Sequence, residues 1–176
     1  MEPESSPPRG AVDKPADTAG TFQRFLRRWL KSTSRRTFVV YPLLIIVLEL
    51  LIRGGHLVVN PWGLVLFPWG YLQFRLAGRY RTRRGGGGPG MDVPPERLVT
   101  SGIYAWTRNP MYLGHFIYIA GLAITFYSLP ALLLFFAVMP WYRKRTRRDE
   151  ERLEELFGQE YLNYKQRVKL WLPGLF

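Results

Sequence analysis

The feature that most constrains this chain is a run of 34 consecutive residues without Asp, Glu, Lys or Arg, from Asn109 to Tyr142. As a single helix the run would be about 51 Å long at 1.5 Å per residue, which exceeds the hydrocarbon core of about 30 Å in a bilayer. The segment from Ser128 to Pro130 marks the expected fold-back. The run therefore predicts two apolar helices of roughly 16 residues each, joined in a tight hairpin.

Two shorter apolar segments, residues 38–52 and 57–74, precede the hairpin. The proline and glycine residues of the second segment are tolerated in a membrane helix where neighbouring groups satisfy the backbone. Glu49 and Arg53 stand four residues apart at the end of the first segment, so we expect a local ion pair between them. Together with the hairpin, these segments predict an all-α integral membrane bundle of about four transmembrane helices.

The distribution of charge predicts the orientation of this bundle. Lys and Arg exceed Asp and Glu by 12, and the basic residues flank the apolar segments. Only Arg53 falls in the short far-side connection, so the positive-inside rule places the opposite side and both termini in the cytoplasm. The membrane is expected to be the inner or plasma membrane of a bacterium, or the endoplasmic reticulum of a eukaryote. Membrane lipids with anionic headgroups are expected partners, and nucleic acid is not.

The polar segments outside the bundle have different predicted structures. Residues 1–20 are rich in proline and mixed charge, which predicts disorder, and residues 21–176 are expected to form one domain. Residues 22–36 combine an apolar and a basic face, which predicts an amphipathic helix at the membrane interface. Residues 75–97 contain four consecutive glycines and are expected to form a basic loop.

The last part of the chain has the periodicity of a helix. From about residue 143 onward, apolar residues recur at steps of three and four, which predicts a cytosolic helical tail. Gly158 is expected to bend this helix, and Pro173 is expected to end it.

The scarcity of metal-binding side chains limits the possible chemistry. The chain has no Cys and two His, His56 and His115, so thiolate sites and a cysteine nucleophile are excluded and no metal site is expected. His115 lies one turn into the hairpin and is expected to be packed and hydrogen-bonded. A role as a base is the less favoured alternative.

Two polar motifs bracket the hairpin. They are LVTSGIYAWTRNPMYLG at residues 98–114 and RKRTRRDEERLEELFGQEYLNYKQRV at residues 143–168. Because the hairpin is expected to enter and leave the membrane on the same face, the two motifs are expected to meet in space and form a site.

These motifs resemble the isoprenylcysteine carboxyl methyltransferase family, whose wider relatives include phospholipid N-methyltransferases. The resemblance covers residues 98–173, the predicted cofactor-binding half. The matching residues are Leu98, Val99, Thr100, Gly102, Tyr104, Arg108, Pro110, Tyr112 and Gly114, followed by Phe157, Gly158, Tyr161, Tyr164 and Val168.

The resemblance implies a membrane enzyme that uses S-adenosylmethionine. Arg108 and Arg145 are the expected catalytic residues, and Arg145 matches a family arginine near the substrate. Asn109 stands where the family has histidine, and asparagine cannot become a cation or a strong base. The residues implied to bind the cofactor are Leu98, Val99, Tyr104, Arg108, Asn109, Pro110, Met111, Tyr112, Asp149 and Glu150.

The charged groups of this cofactor suggest which of those residues binds each group. Tyr104 and Tyr112 can place ring faces near the sulfonium. Asp149 or Glu150 can pair with the ammonium group, and Arg108 with the carboxylate.

The methyl acceptor is expected to be a lipophilic small molecule or a lipidated substrate. It carries either the carboxylate of a prenylated cysteine-like group or a lipid amine, and both stay open here. One alternative is an NADPH-dependent membrane reductase of the sterol reductase type, whose motifs are similar. Another is a non-catalytic membrane scaffold. Cofactor binding distinguishes the three.

Overall fold

The helices form where the apolar segments predict them, with several changes in their limits. The computed structural model describes residues 32–88 and 93–171. The predicted disordered segment 1–20 and residues 22–31 of the predicted interfacial helix lie outside this part of the chain.

The first apolar segment is helical throughout. An α-helical turn at Thr33–Arg35 and a π-helical turn at Arg36–Val40 lead into helix α1, Tyr41–Ile52. The predicted ion pair at the end of α1 is confirmed, with 2.6 Å between Glu49 Oε2 and Arg53 Nε.

Arg53 also joins the end of α1 to the turn of the hairpin. Its Nη2 donates hydrogen bonds to the carbonyl oxygens of Phe126 and Tyr127, at 3.0 and 3.2 Å. These carbonyls lie at the end of a helix and lack intrahelical partners. The guanidinium therefore satisfies them and fixes α1 against the turn.

Helix α2, Leu66–Gly85, follows a 3-10 turn at Pro61–Val65. The prediction of a loop from residue 75 is wrong as far as Gly85. The arginine-rich second half of α2 consists largely of good helix formers, and it buries one face that includes Ala77 and Gly78. Propensity and tertiary burial together extend the helix by about three turns beyond the predicted limit.

The predicted hairpin is confirmed. Helix α3, Pro110–Phe126, and helix α4, Leu129–Arg167, are separated by Tyr127 and Ser128. Ser128 Oγ accepts a hydrogen bond from the backbone N–H of Ala131 at 3.1 Å, which caps α4 at its first turn.

The second helix of the hairpin and the predicted tail are one helix. Helix α4 has 39 residues, and Gly158, with φ 51° and ψ −126°, bends it as predicted. The prediction that Pro173 ends the helix is wrong, because α4 ends at Arg167 and Pro173 lies outside the described residues. The backbone after Arg167 is instead drawn to the start of α3, where the N–H of Arg108 donates to the Lys169 carbonyl at 3.0 Å.

Replacing Gly158 by alanine should lower the free energy of unfolding by about 1–3 kcal/mol, because its backbone conformation is accessible almost only to glycine. A Cβ atom at Gly158 would meet nothing within 4 Å, so the expected loss is backbone strain alone. Thermal unfolding of the purified protein measures the change, with the exposed Glu155→Ala in the same helix as control. Equal melting temperatures for both variants would contradict the prediction.

Every regular element in the described residues is helical, which confirms the all-α class. None of these helices combines the length and the apolar character that crossing a membrane requires. The four transmembrane helices therefore stay a prediction.

Candidate functional site

A cleft lies where the start of α3 meets α4. The space between its walls is about 830 Å³, including the part open to solvent. One wall is the end of α2, and another is formed by residues 93–99 with the 3-10 turn Gly102–Ala105. The first turn of α3 and residues 149–153 of α4 complete it, so the two motifs meet in one cavity.

The structure brings together all ten residues that the resemblance implies for the cofactor. Arg145 does not line the cleft and lies one helical turn before Asp149. The ten lining residues are Leu98, Val99, Tyr104, Arg108, Asn109, Pro110, Met111, Tyr112, Asp149 and Glu150.

A chain of hydrogen bonds joins α3 to α4 across the cleft. The Tyr112 hydroxyl donates to Asp149 Oδ2 at 3.0 Å and accepts from Arg145 Nε at 3.1 Å. Pro110 at the first turn of α3 suits the start of a helix, where its missing N–H has no intrahelical partner. Because the helix begins at Pro110, Tyr112 lies in its first turn at the floor of the cleft, where it is 3% exposed.

A buried ion pair forms a second link between the motifs. Arg108 Nε lies 3.0 Å from Glu150 Oε1, with side chains only 10% and 9% exposed, although the contact is not aligned as a hydrogen bond. Arg108 Nη1 donates to the Lys165 carbonyl oxygen at 2.7 Å. The Lys165 ammonium forms an ion pair with Glu154 and lies 3.9 Å from Glu150 Oε2.

Burial changes the titration of both carboxylates in the cleft. It raises the pKa of Asp149, an effect opposed by the Tyr112 hydrogen bond and by the positive charges of Arg145 and Arg81. It also raises the pKa of Glu150, against the charges of Arg108 and Lys165. The cleft therefore holds two partly desolvated carboxylates that a bound cation would stabilise in their charged form.

Residues 164–170 pack over the first motif. The Tyr164 hydroxyl donates to the Tyr104 carbonyl at 2.6 Å, and Thr107 Oγ1 donates to the Leu170 carbonyl at 3.1 Å. Asn109 Nδ2 lies 3.5 Å from the same Leu170 oxygen. Burial raises the pKa of the Tyr104 hydroxyl to about 12. Asn109 thus contacts the tail as well as the cleft.

Sequence reasoning missed part of the lining. Tyr161 and Tyr164, which match the second motif, are buried, and both also face the cleft. The other missed residues lie before the first motif or next to the acidic pair Asp149 and Glu150, and none of them is among the residues that match the family. The missed lining residues are Arg81, Val93, Pro94, Pro95, Arg152, Leu153, Tyr161 and Tyr164.

His115 is fully buried but is not hydrogen-bonded as expected. It is 0% exposed, makes an edge contact with Phe38 and stacks on Phe74, with ring centroids 5.0 and 4.9 Å away. Neither ring nitrogen has a hydrogen-bond partner among the described residues. The surrounding side chains are aromatic rings, so this part of the prediction is wrong.

Known proteins resemble this chain most clearly in its second half. The model of the phospholipid methyltransferase family matches residues 87–160. The protein-S-isoprenylcysteine O-methyltransferase of Mus musculus is 42% identical over 78 residues, which are 43% of this chain and 27% of that protein. The enzyme of the same name from Saccharomyces cerevisiae is 35% identical over 77 residues, 43% of this chain and 32% of the relative.

The fold resembles a solved structure over a longer stretch. A eukaryotic intramembrane Ras methyltransferase, isoprenylcysteine carboxyl methyltransferase, matches with a TM-score of 0.58 and 22% identity, over 82% of this chain and 53% of that chain. The chain spans about half of that structure and 27% to 32% of the two relatives above. The resemblance carried by the two motifs is confirmed for part of the chain: it matches the phospholipid methyltransferase model over residues 87–160 and is similar to protein-S-isoprenylcysteine O-methyltransferases over 78 residues, and its fold is similar to that of the solved isoprenylcysteine carboxyl methyltransferase.

Proposed function

We propose that this protein transfers a methyl group from S-adenosylmethionine to the carboxylate of a lipophilic, prenylated cysteine-like acceptor. This proposal rests on one observation: two motifs about forty residues apart place acidic and aromatic side chains together in the same cleft. The named function of the two curated relatives supports the same reaction class.

The residues of the cleft fit this cofactor. Asp149 and Glu150 supply negative charge for its ammonium group. Tyr104 and Tyr112 supply aromatic rings for the sulfonium. The apolar Leu98 and the neighbouring prolines can cover an adenine ring.

The chemistry requires alignment more than acid–base catalysis. When bound, S-adenosylmethionine supplies an electrophilic methyl group on sulfur. A carboxylate acceptor needs no base, and the Arg145 guanidinium can orient it, because its Nε is held on the Tyr112 hydroxyl at 3.1 Å. Asp149 holds that hydroxyl from the other side at 3.0 Å. The buried tail at Tyr161 and Tyr164 limits access of water to this region.

The proposed acceptor fits a membrane location. Large apolar side chains are exposed along α1, on the 3-10 turn Pro61–Val65, on the first half of α2 and on the first half of α4, among them Leu43, Leu51, Trp62, Leu72 and Leu133. Such a surface is stable against lipid and unfavourable in water. We propose a multi-pass membrane protein with the cleft on the cytoplasmic side, where the basic residues lie.

Asp149→Asn should weaken S-adenosylmethionine binding by about 10- to 100-fold, because it removes a charged partner of the ammonium group. Calorimetry on the purified protein in detergent measures this affinity. The matched control is Glu151→Gln, the adjacent and exposed acid of α4, which should bind as the wild type does.

The same preparation tests the cofactor and the acceptor. We expect no binding of NADPH, and methyl transfer to farnesylated cysteine but not to an ethanolamine lipid. Binding of NADPH in place of S-adenosylmethionine would favour the reductase, and binding of neither would favour the scaffold. Methyl transfer to the amine alone would refute the carboxylate acceptor.

A further inference from the structure

The cleft contains a cation from α2, a helix that the matched motifs do not reach. Among the described residues, the cationic side chains lining the cleft are Arg81, Arg108 and Arg152. Arg81 precedes both the matched family region, residues 87–160, and the first motif at residue 98. No family pattern therefore assigns it a role.

The extended helix α2 aims Arg81 at the cleft. Ala77 and Gly85, four residues to either side, are buried, and Arg81 is half-buried on the same face. Arg79 and Arg83, two residues to either side, are exposed. Arg81 Nη2 donates to the Gly88 carbonyl at 3.1 Å, which orients the guanidinium at the end of the helix.

The other two lining cations are less suited to a ligand's carboxylate. The Arg108 guanidinium is held by Glu150 and by the Lys165 carbonyl oxygen, and its side chain is 10% exposed. Arg152 also lines the cleft, but its side chain is exposed and it lies on the same helix as Asp149. Arg81 is half-buried on the α2 wall, and its positive charge acts on both Asp149 and Tyr104 in the cleft.

An acid on one wall and a guanidinium on another are complementary to an α-amino acid zwitterion. Asp149 on α4 suits the ammonium group, and the planar fork of Arg81 on α2 suits the carboxylate. We propose that Arg81 binds the carboxylate at the amino-acid end of S-adenosylmethionine, an inference that rests on the proposed function. The charges of the motif alone suggest that Arg108 binds this carboxylate, and the proposal gives that role to Arg81 instead.

The test compares S-adenosylmethionine with its decarboxylated form by calorimetry. The wild type should bind the complete cofactor about 10- to 100-fold more tightly, and Arg81→Gln should bind both forms with similar, weak affinity. Arg83→Gln, an exposed arginine of the same helix, should keep the full preference. Arg81→Lys, which retains the charge but not the fork, should keep part of it. Melting temperatures of all variants establish that they are folded.

The outcomes separate this inference from the function on which it rests. If Arg81→Gln retains the wild-type preference, or weakens both forms equally, the carboxylate binds elsewhere and the inference is overturned. A wild type that binds both forms equally overturns it as well, while leaving the methyltransferase intact. A wild type that binds neither form overturns the proposed function itself.

Discussion

Arg108→Met should lower the free energy of unfolding by about 3–5 kcal/mol, because it leaves the Glu150 carboxylate buried without its ion-pair partner. The two side chains are 10% and 9% exposed, with 3.0 Å between Nε and Oε1. The variant also removes the bond from Nη1 to the Lys165 carbonyl, which joins the start of α3 to the tail. Thermal and denaturant unfolding in detergent measure the loss.

The double variant Arg108→Met with Glu150→Met separates stability from function. Replacing both members of a buried ion pair by apolar residues of similar volume is often close to neutral, so most of the stability should return. Cofactor binding should be weaker than in the wild type, since the cleft would lose one of its two carboxylates. Lys165→Met is the matched control. Its side chain is 38% exposed, and it should change stability by about 1 kcal/mol or less. An Arg108→Met protein as stable as wild type would contradict the argument.

Gly114→Leu should be strongly destabilising, because α2 and α3 touch there through their backbones. A Cβ atom at Gly114 would lie 2.6 Å from the Gly70 carbonyl oxygen and 2.8 Å from the Phe74 nitrogen. Neither atom can move without moving α2. We expect a loss of about 3 kcal/mol, which corresponds to a fall of about 6 to 12 °C in the melting temperature.

The same substitution should impair cofactor binding, because the end of α2 carries Arg81 into the cleft. Gly88→Ala is the control, since its Cβ would meet Val93 at an ordinary 3.4 Å. It should melt within about 1 °C of the wild type. A Gly114→Leu protein with unchanged melting temperature would show that the two helices can separate without loss.

The hairpin and the pairing of the motifs could be predicted because their signals are local and strong. The uncharged run with a proline after Ser128 predicted the turn that the structure places at Tyr127 and Ser128. Since a hairpin returns to its starting side, that turn also predicted that the two motifs would approach each other, and the structure joins Tyr112 of the first to Asp149 of the second at 3.0 Å.

Other features depended on contacts between distant residues. Charge and glycine content predicted a loop after residue 75, yet packing against the bundle keeps α2 helical to Gly85. Likewise, neither motif indicates that Arg108 pairs with Glu150, which lies 42 positions further along the chain. An arginine and a glutamate can each bind a charged group of a ligand as well as they bind each other.

The sequence by itself determined the helical class, the hairpin, the bend at Gly158 and which ten residues would surround one cleft. These follow from periodicity, from backbone restrictions at proline and glycine, and from the matched motifs. Only the tertiary structure decided where α2 ends, which charges neutralise one another and that Arg81 completes the cleft. The reason is physical: helix limits and ion pairs depend on burial and on distances between segments, which no local pattern encodes.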